Sequence, residues 1–166
     1  MQVAVCGPAE CTPEEAVAAR RVGELLAARG AVVMCGGGTG VMSAVAEGAR
    51  AGGGLVVGVL PGPGPGPGAA EVDVAVLTDL GQGRNNVIVR SADAVIVVGG
   101  SWGTLSELAL AMRRGGVPVV TLGGWRVLDR DGRPVPGPVP AADADHAVEL
   151  ALAGVGRPVP DPAPDR

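Results

Sequence analysis

Short apolar runs alternate along the chain with stretches in which apolar residues recur at every third or fourth position. The runs have the length of buried strands, and the wider spacing is typical of one face of a helix. Strands are predicted at Val3–Cys6, Ala31–Met34, Leu55–Leu60, Val72–Leu77, Ala94–Val98 and Val117–Leu122. Helices are predicted from the Thr12-Pro13 cap to Arg29-Gly30, from Met42 to Ala49, and over Arg84–Arg90, Thr104–Arg114 and Ala142–Leu152.

This alternation predicts a doubly wound, Rossmann-like α/β fold, in which helices cover both faces of a parallel sheet (three layers, α/β/α). Hydrophobic residues make up 47% of the chain, but there is no Phe or Tyr and there are only two Trp. Small branched side chains must therefore fill the core, which suits a parallel sheet buried on both faces. The length predicts one nucleotide-binding domain over residues 1–155, followed by a Pro-rich tail at 156–166.

Charge and residue usage exclude several classes of function. The net charge is −4, and the 13 basic residues are arginines scattered along the chain, so nucleic-acid binding is not expected. The absence of lysine excludes a pyridoxal Schiff base and the usual P-loop chemistry. A single histidine, His146, is insufficient for a Ser-His-Asp triad or a histidine metal site, and we expect no metal and no other cofactor.

The expected location is the cytoplasm. No apolar segment reaches the ~18 residues of a membrane span, and no signal peptide precedes the first predicted strand. The three cysteines are an odd number without zinc-site spacing, which favours a reducing compartment. Cys6 and Cys35 end neighbouring predicted strands, where buried small hydrophobic side chains are favoured over a metal or redox pair.

Two glycine-rich loops each follow a predicted strand and precede a helix. The first is Gly36-Gly37-Gly38-Thr39-Gly40, and the second runs from Gly99 to Thr104. In a parallel sheet both loops leave the carboxyl edge, where backbone N–H groups and a helix dipole can bind phosphate. The first loop also fits a turn for close packing or a dinucleotide site, although no ribose-binding carboxylate follows the third strand.

Glu107, Arg84 and the segment Pro61–Gly68 have simpler interpretations when each is considered alone. Thr104-x-x-Glu107 matches a capping box, so helix capping is favoured for Glu107 from its spacing. Arg84 would ordinarily be a solvated charge at a helix end. The four Pro-Gly pairs of Pro61–Gly68 can form neither helix nor sheet and predict a mobile loop near the phosphate-binding edge.

Five motifs together resemble the Lonely Guy (LOG) family, whose members are often labelled possible lysine decarboxylases. The motifs are Cys35-Gly-Gly-Gly-Thr-Gly-Val-Met42, Gly58-Val-Leu-Pro61, Arg84-Asn85, Ser91-Ala-Asp93 and Gly99-Gly-Ser-Trp-Gly-Thr-Leu-Ser-Glu107. The resemblance extends from Gln2 to about Leu122 and is closest to the bacterial branch that includes the molybdenum cofactor carrier proteins. A lysine decarboxylase activity does not fit, because the chain has no lysine to hold pyridoxal phosphate.

The resemblance implies cleavage of the N-glycosidic bond of a nucleoside 5′-monophosphate, of the AMP or cytokinin riboside monophosphate class. Glu107 and Arg84 are the implied catalytic residues, since a carboxylate can stabilise positive charge on the ribose and a guanidinium can bind phosphate. The family also implies a homodimer or homotetramer with the pocket near the subunit interface. The implied nucleotide-binding residues are Gly36, Gly37, Gly38, Gly40, Met42, Asn85, Gly99, Gly100, Ser101, Trp102, Gly103 and Thr104.

Two positions depart from the family's usual pattern. The Pro-Gly-Gly start of the second loop is Gly99-Gly100-Ser101 here, and the basic residue that follows the arginine is Asn85. Both changes are typical of the branch that includes the cofactor carriers. A second function therefore stays open, that of a non-catalytic carrier or sensor of a phosphorylated pterin or nucleotide such as molybdenum cofactor.

Overall fold

The chain folds into a parallel sheet covered by helices on both faces, as the alternation of elements predicts. The computed structural model describes residues 1–156, so the predicted tail lies outside the described residues except for its first position. Within this range the seven strands are β1 (Gln2–Cys6), β2 (Val32–Cys35), β3 (Val56–Leu60), β4 (Val74–Leu77), β5 (Ala94–Val98), β6 (Val119–Leu122) and β7 (Val139–Pro140). The five α-helices of the same range are α1 (Pro13–Ala28), α2 (Val41–Ala51), α3 (Arg84–Ser91), α4 (Trp102–Arg114) and α5 (Ala144–Gly154).

The order of the strands determines where a ligand can bind. Neighbouring strands pair in parallel in the order β4-β3-β2-β1-β5-β6-β7. The chain builds outward from β1 to β4 and then returns to place β5 on the other side of β1. Ligands of doubly wound folds bind beyond the carboxyl ends of the strands at such a reversal. Both glycine-rich loops leave this edge of the sheet, as predicted.

The hydrophobic core is divided between the two faces of the sheet. Helices α1, α2 and α5 pack on one face, and α3 and α4 pack on the other. Helices α1 and α2 approach closely because glycines lie at their contact. A Cβ at Gly23 would lie 2.2 Å from the carbonyl oxygen of Val45, and one at Gly48 would lie 2.0 Å from that of Arg20. No helix within residues 1–156 is long and apolar enough to cross a membrane.

Several observed boundaries differ from the predicted ones by two residues, and α5 begins at Ala144 and ends at Gly154, two residues later than predicted at both ends. Helix α4 begins at Trp102 instead of Thr104, because Ser101 caps it. Strands β4 and β6 each begin two residues later than predicted, at Val74 and Val119. No pattern predicts β7, because a strand of two residues has no periodicity to detect.

The Pro-Gly repeat between Pro61 and Gly68 forms neither helix nor strand. The glycines inside the repeat have no atom within 4 Å of the position that a Cβ would take. Gly68, by contrast, is buried, and its Cβ position lies 2.4 Å from the carbonyl oxygen of Gly38. The repeat therefore leads from β3 to a contact with the first glycine-rich loop, while its mobility stays a prediction.

Candidate functional site

The second glycine-rich loop joins β5 to α4, and its residue Ser101 caps the N-terminus of α4. The Oγ of Ser101 accepts a hydrogen bond from the N–H of Thr104 at 3.2 Å and lies 2.9 Å from the Thr104 hydroxyl. The N–H groups of Trp102 and Gly103 lie in the first turn, where no acceptor within the helix is available. With the positive end of the helix dipole, these N–H groups are suited to bind an anion.

The capping role that spacing favours for Glu107 is wrong. Because α4 begins at Trp102, Glu107 lies in the second turn and not at the third helical position. Glu107 is only 7% exposed, and its carboxyl group lies close to Cys6 and Arg84. The carboxyl group of Glu107 is therefore buried near the end of β1, and it does not cap α4.

Two neighbouring elements fix the start of the second loop. Gly99 has a φ of +65°, a conformation that L side chains rarely adopt, and its Cβ would lie 2.1 Å from Oε1 of Glu15. The other carboxylate oxygen of Glu15 accepts the N–H of Thr12 at 2.9 Å, which confirms the predicted capping box of α1. The N–H of Gly99 donates to the carbonyl of Leu122 at 3.0 Å. The first turn of α1 and the end of β6 thus support the loop.

The first glycine-rich loop makes room for a guanidinium. A Cβ at Gly36 would lie 2.1 Å from Nη1 of Arg84 and 2.6 Å from Sδ of Met42. Nη1 of Arg84 donates to the carbonyl of Val59 at 2.8 Å. Arg84 is therefore held between the end of β3 and the loop after β2, and it is not the solvated helix-terminal charge of the simpler interpretation.

The far end of the first loop is fixed by the segment that follows β1. The N–H of Val41 donates to the carbonyl of Pro8 at 3.0 Å, and the hydroxyl of Thr39 donates to the carbonyl of Ala9 at 2.9 Å. A Cβ at Gly40 would lie 2.5 Å from both of these carbonyl oxygens. The loops after β1 and β2 are therefore packed together at the carboxyl edge.

Two buried polar atoms at the start of α3 are unpartnered. Among the described residues, neither Nε of Arg84 nor Oδ1 of Asn85 has a hydrogen-bond partner. Asn85 is only 3% exposed, and its Nδ2 lies 3.5 Å from Oε1 of Gln82. Buried polar groups are usually satisfied in native proteins, so one free donor and one free acceptor at this edge are suited to a polar ligand.

The environment of Glu107 raises the pKa of its carboxyl group to near neutral pH. Burial raises the pKa of Glu107 to about 7, while the positive charge of Arg84 and a hydrogen bond from Cys6 act in the opposite direction. Burial, with the nearby Glu107, raises the pKa of the Cys6 thiol well above its usual value. The Cys6 thiol therefore stays protonated and can donate to the carboxylate.

Cys6 and Cys35 do not form a redox pair. Strand register aligns Ala4 with Met34, so Cys6 and Cys35 project to opposite faces of the sheet. Both thiols are free and buried, and burial raises the pKa of Cys35. Across residues 1–156, no group of three or more His, Cys, Asp or Glu side chains could hold a metal ion.

Trp125 lies at the second loop, and the sequence reasoning did not single it out. Its Nε1 donates to the carbonyl of Ser101 at 3.0 Å, and its ring is 5.2 Å from that of Trp102 between centroids. Trp125 follows β6 beyond the last predicted strand, where no pattern indicates a ligand. The signal that could have found it is composition, since it is one of two aromatic residues in the chain.

A separate groove of about 540 Å³ lies between the first turns of α1 and α5. Its lining includes Glu14, Val17, Arg21 and Asp145, and none of the predicted site residues. Arg21 and Asp145 satisfy each other at 2.9 Å. The predicted residues instead converge on the edge formed by the loops after β2 and β5.

The chain is similar in sequence and in fold to several known proteins. The chain is 44% identical over 134 residues to an uncharacterised protein of Archaeoglobus fulgidus, covering 78% of this chain and 88% of that protein. It is 35% identical over 119 residues to the cytokinin riboside 5′-monophosphate phosphoribohydrolase of Mycobacterium tuberculosis, covering 67% of this chain and 64% of the enzyme. The solved molybdenum cofactor binding protein of Rippkaea orientalis matches with a TM-score of 0.80 and 32% identity, covering 92% of this chain and 95% of that one.

The fold is that of a Rossmann-like protein whose two glycine-rich loops lie at the carboxyl edge of a parallel sheet. The model of the SLOG cluster4 family matches residues 1–135, and the chain belongs to that family. The resemblance to the LOG family and to the branch with the molybdenum cofactor carriers is thereby confirmed.

Proposed function

We propose that the protein hydrolyses the N-glycosidic bond of a nucleoside 5′-monophosphate, releasing a free base and ribose 5-phosphate. The observation that carries this proposal is the buried carboxyl group of Glu107, close to Arg84 at the carboxyl edge. Similarity to a mycobacterial phosphoribohydrolase supports the same reaction class, although the chain spans only 64% of that enzyme's length.

The proposed chemistry assigns the acid–base work to Glu107. As the C1′–N bond breaks, its electron pair leaves with the base and positive charge develops on C1′ and the ring oxygen. The Glu107 carboxylate stabilises this charge and accepts a proton from the water that attacks C1′. The departing base takes up the proton that Glu107 has accepted, so one water molecule is consumed and the carboxylate is regenerated. The hydrogen bond from Cys6 and the charge of Arg84 help to keep the carboxylate ionised.

The proposed substrate contacts use the two loops. The N–H groups at the start of α4 bind the 5′-phosphate, and Gly99, Gly100, Ser101 and Thr104 shape that turn. Arg84, seated against Gly36, supplies positive charge to the phosphate. Met42 and Asn85, with Gly37, Gly38 and Gly40, complete the proposed nucleotide site.

A carrier or sensor of a phosphorylated pterin or nucleotide is the second candidate function. One observation favours it, namely that the molybdenum cofactor binding protein of Rippkaea orientalis matches nearly the full length of both chains. A carrier needs the same anion-binding turn but no turnover. The two candidates therefore differ in whether the glycosidic bond is broken.

Incubation of the purified chain with AMP, GMP, CMP and isopentenyladenosine monophosphate, followed by chromatography, tests the proposal. We expect free base from at least one substrate, and a loss of about a hundredfold or more in rate for Glu107→Gln. Glu149→Gln is the matched control, since Glu149 is an exposed glutamate on α5. Tight binding of a monophosphate without release of base would favour the carrier instead.

A further inference from the structure

The two aromatic residues of the chain are in contact at the edge of the proposed site. Trp102 is the first residue of α4 and Trp125 follows β6, yet their ring centroids are 5.2 Å apart with an interplanar angle of 41°. The chain has no Phe or Tyr, so its core is built without aromatic rings. Both indole rings lie at the surface, 77% and 39% exposed respectively.

Trp125 is held in place by the glycine-rich loop itself. Its Nε1 donates to the carbonyl of Ser101 at 3.0 Å. A Cβ at Gly100 would lie 2.8 Å from Cδ1 of the ring, and one at Gly124 would lie 2.0 Å from the carbonyl oxygen of Gly99. Glycines at 100 and 124 therefore allow the ring to lie directly on the loop. Trp125 in turn supports Trp102.

Trp102 is left with most of its ring in water, beside the first-turn N–H groups of α4. An exposed indole is an unusual use of a large apolar side chain, and an aromatic face beside an anion-binding turn fits a ligand that has both a phosphate and a planar ring. At the same carboxyl edge, Nε of Arg84 and Oδ1 of Asn85 are buried and have no hydrogen-bond partner among the described residues, so a polar group of a ligand could satisfy them.

We propose that Trp102, supported by Trp125, is an aromatic platform on which a fused bicyclic nitrogen heterocycle of a phosphorylated ligand stacks. This inference rests on the proposed function, which supplies the phosphate-binding turn, and it adds a site for the ligand's heterocyclic ring. Purines and pterins share the ring chemistry, because both have two fused planar rings with a large face for stacking. Single-ring pyrimidines offer less contact area, so the platform favours bicyclic ligands.

Calorimetric titration with AMP and with ribose 5-phosphate separates the contribution of the ring to binding from that of the phosphate. Trp102→Ala is expected to weaken AMP binding about tenfold or more, since each base stacked on an aromatic side chain contributes on that order, and to leave ribose 5-phosphate binding unchanged. Trp102→Phe should keep most of the parent's affinity for AMP, because a phenyl ring can also stack. Leu55→Ala, at an exposed apolar residue on the opposite edge of the sheet, is the matched control. Glu107→Gln serves as the background if AMP is hydrolysed during the titration.

Intrinsic fluorescence gives a second readout, because the two tryptophans are the chain's only aromatic residues. AMP, but not ribose 5-phosphate, should change the emission, and Trp102→Phe should remove most of the change. A parallel titration with neopterin monophosphate decides between the two kinds of ring. Tighter binding of neopterin monophosphate than of AMP would identify the ligand's ring as a pterin, and weaker binding would identify it as a purine.

The outcomes also separate this inference from the proposed function. If the chain binds ribose 5-phosphate but Trp102→Ala binds AMP as tightly as the parent, the platform is overturned and the phosphate site stands. If AMP binding is unchanged in Trp102→Ala while the oligomeric mass falls, Trp102 is a subunit contact and the platform is likewise overturned. A parent that binds neither AMP, ribose 5-phosphate nor the pterin overturns both proposals.

Discussion

At the scale of single residues, the burial of the Glu107 carboxyl group has a cost in stability. A carboxylate that is 7% exposed loses most of its hydration, and its pKa of about 7 records that cost. The nearby charge of Arg84 and the hydrogen bond from Cys6 offset only part of it. A carboxyl group used only for structure could remain at the surface, so this cost is consistent with a function.

The first prediction concerns stability against pH. The unfolded chain releases the Glu107 proton near pH ~4.3, whereas the folded chain releases it at about pH 7. The folded state therefore binds more protons between these values, so this group's contribution to stability is full below pH ~4.3 and is lost as pH rises through about 7. Denaturant unfolding should show Glu107→Gln to be more stable than the parent at pH 8, by roughly 3 kcal/mol if the whole cost of ionising the buried carboxyl group is removed.

Glu149→Gln is the control for this measurement, because Glu149 is exposed. The difference in unfolding free energy between Glu107→Gln and the parent should shrink from pH 8 to pH 5. A difference that stays constant over this range would contradict the pKa assigned to Glu107.

The second prediction concerns Arg84 and the phosphate. Arg84→Ala should weaken binding of AMP about tenfold or more but change adenosine binding little. The substitution removes the guanidinium that is proposed to bind the phosphate, and adenosine has no phosphate. Arg90→Ala is the control, since Arg90 is an exposed arginine on the same helix. Calorimetry on the two ligands measures both effects, and equal losses for AMP and adenosine would contradict a phosphate-directed role.

At the scale of elements, Arg84 can pack against the loop after β2 only because residue 36 is a glycine. Gly36→Ala places a Cβ 2.1 Å from Nη1 of Arg84 and 2.6 Å from Sδ of Met42. We expect Arg84 to move away from the Val59 carbonyl, with a loss of about 1–3 kcal/mol in stability and weaker AMP binding. Gly64→Ala, with no atom within 4 Å of its Cβ position, should leave both unchanged. Thermal unfolding and calorimetry of the two variants test this, and a Gly36→Ala chain with normal binding would overturn the assignment.

The sequence was sufficient to predict most elements, because periodicity is a local signal. It identified the strands β1 to β6, the parallel sheet and the loops at one edge. It misplaced the start of α4, because Ser101 and Thr104 are both acceptable caps and spacing alone does not choose between them. That error made Glu107 look like a cap. The contact of Arg84 with Gly36 joins positions far apart in the chain, which periodicity does not report.

At the scale of the whole molecule, one face of the sheet is incompletely covered. Val74 and Val76 of the edge strand β4 align with Val57 and Val59, so they project to the face covered by α3 and α4. They are 45% and 40% exposed. Other large apolar residues that are at least partly exposed nearby in the sequence are Leu77, Leu80 and Val87. Such a concentration is typical of an interface.

The fourth prediction is that the chain forms a homodimer or homotetramer through this face. Val76→Asp should shift the mass measured by light scattering toward the monomer, because it places an unpaired charge in the contact. Val17→Asp is the control, since Val17 is 70% exposed but lies on α1, on the opposite face of the sheet. A monomeric parent at micromolar concentration, or an unchanged mass in Val76→Asp, would contradict it.

The most direct test of the account is the pH dependence of kcat/KM for AMP hydrolysis in the parent and in Glu107→Gln. If the ionised carboxylate of Glu107 stabilises the developing cation, kcat/KM rises with pH and levels off, with a midpoint near the pKa of about 7. In Glu107→Gln we expect a rate lower by about a hundredfold or more and no such rise. A parent with no midpoint in this range, or a Glu107→Gln chain that keeps the parent's rate and profile, would contradict the account.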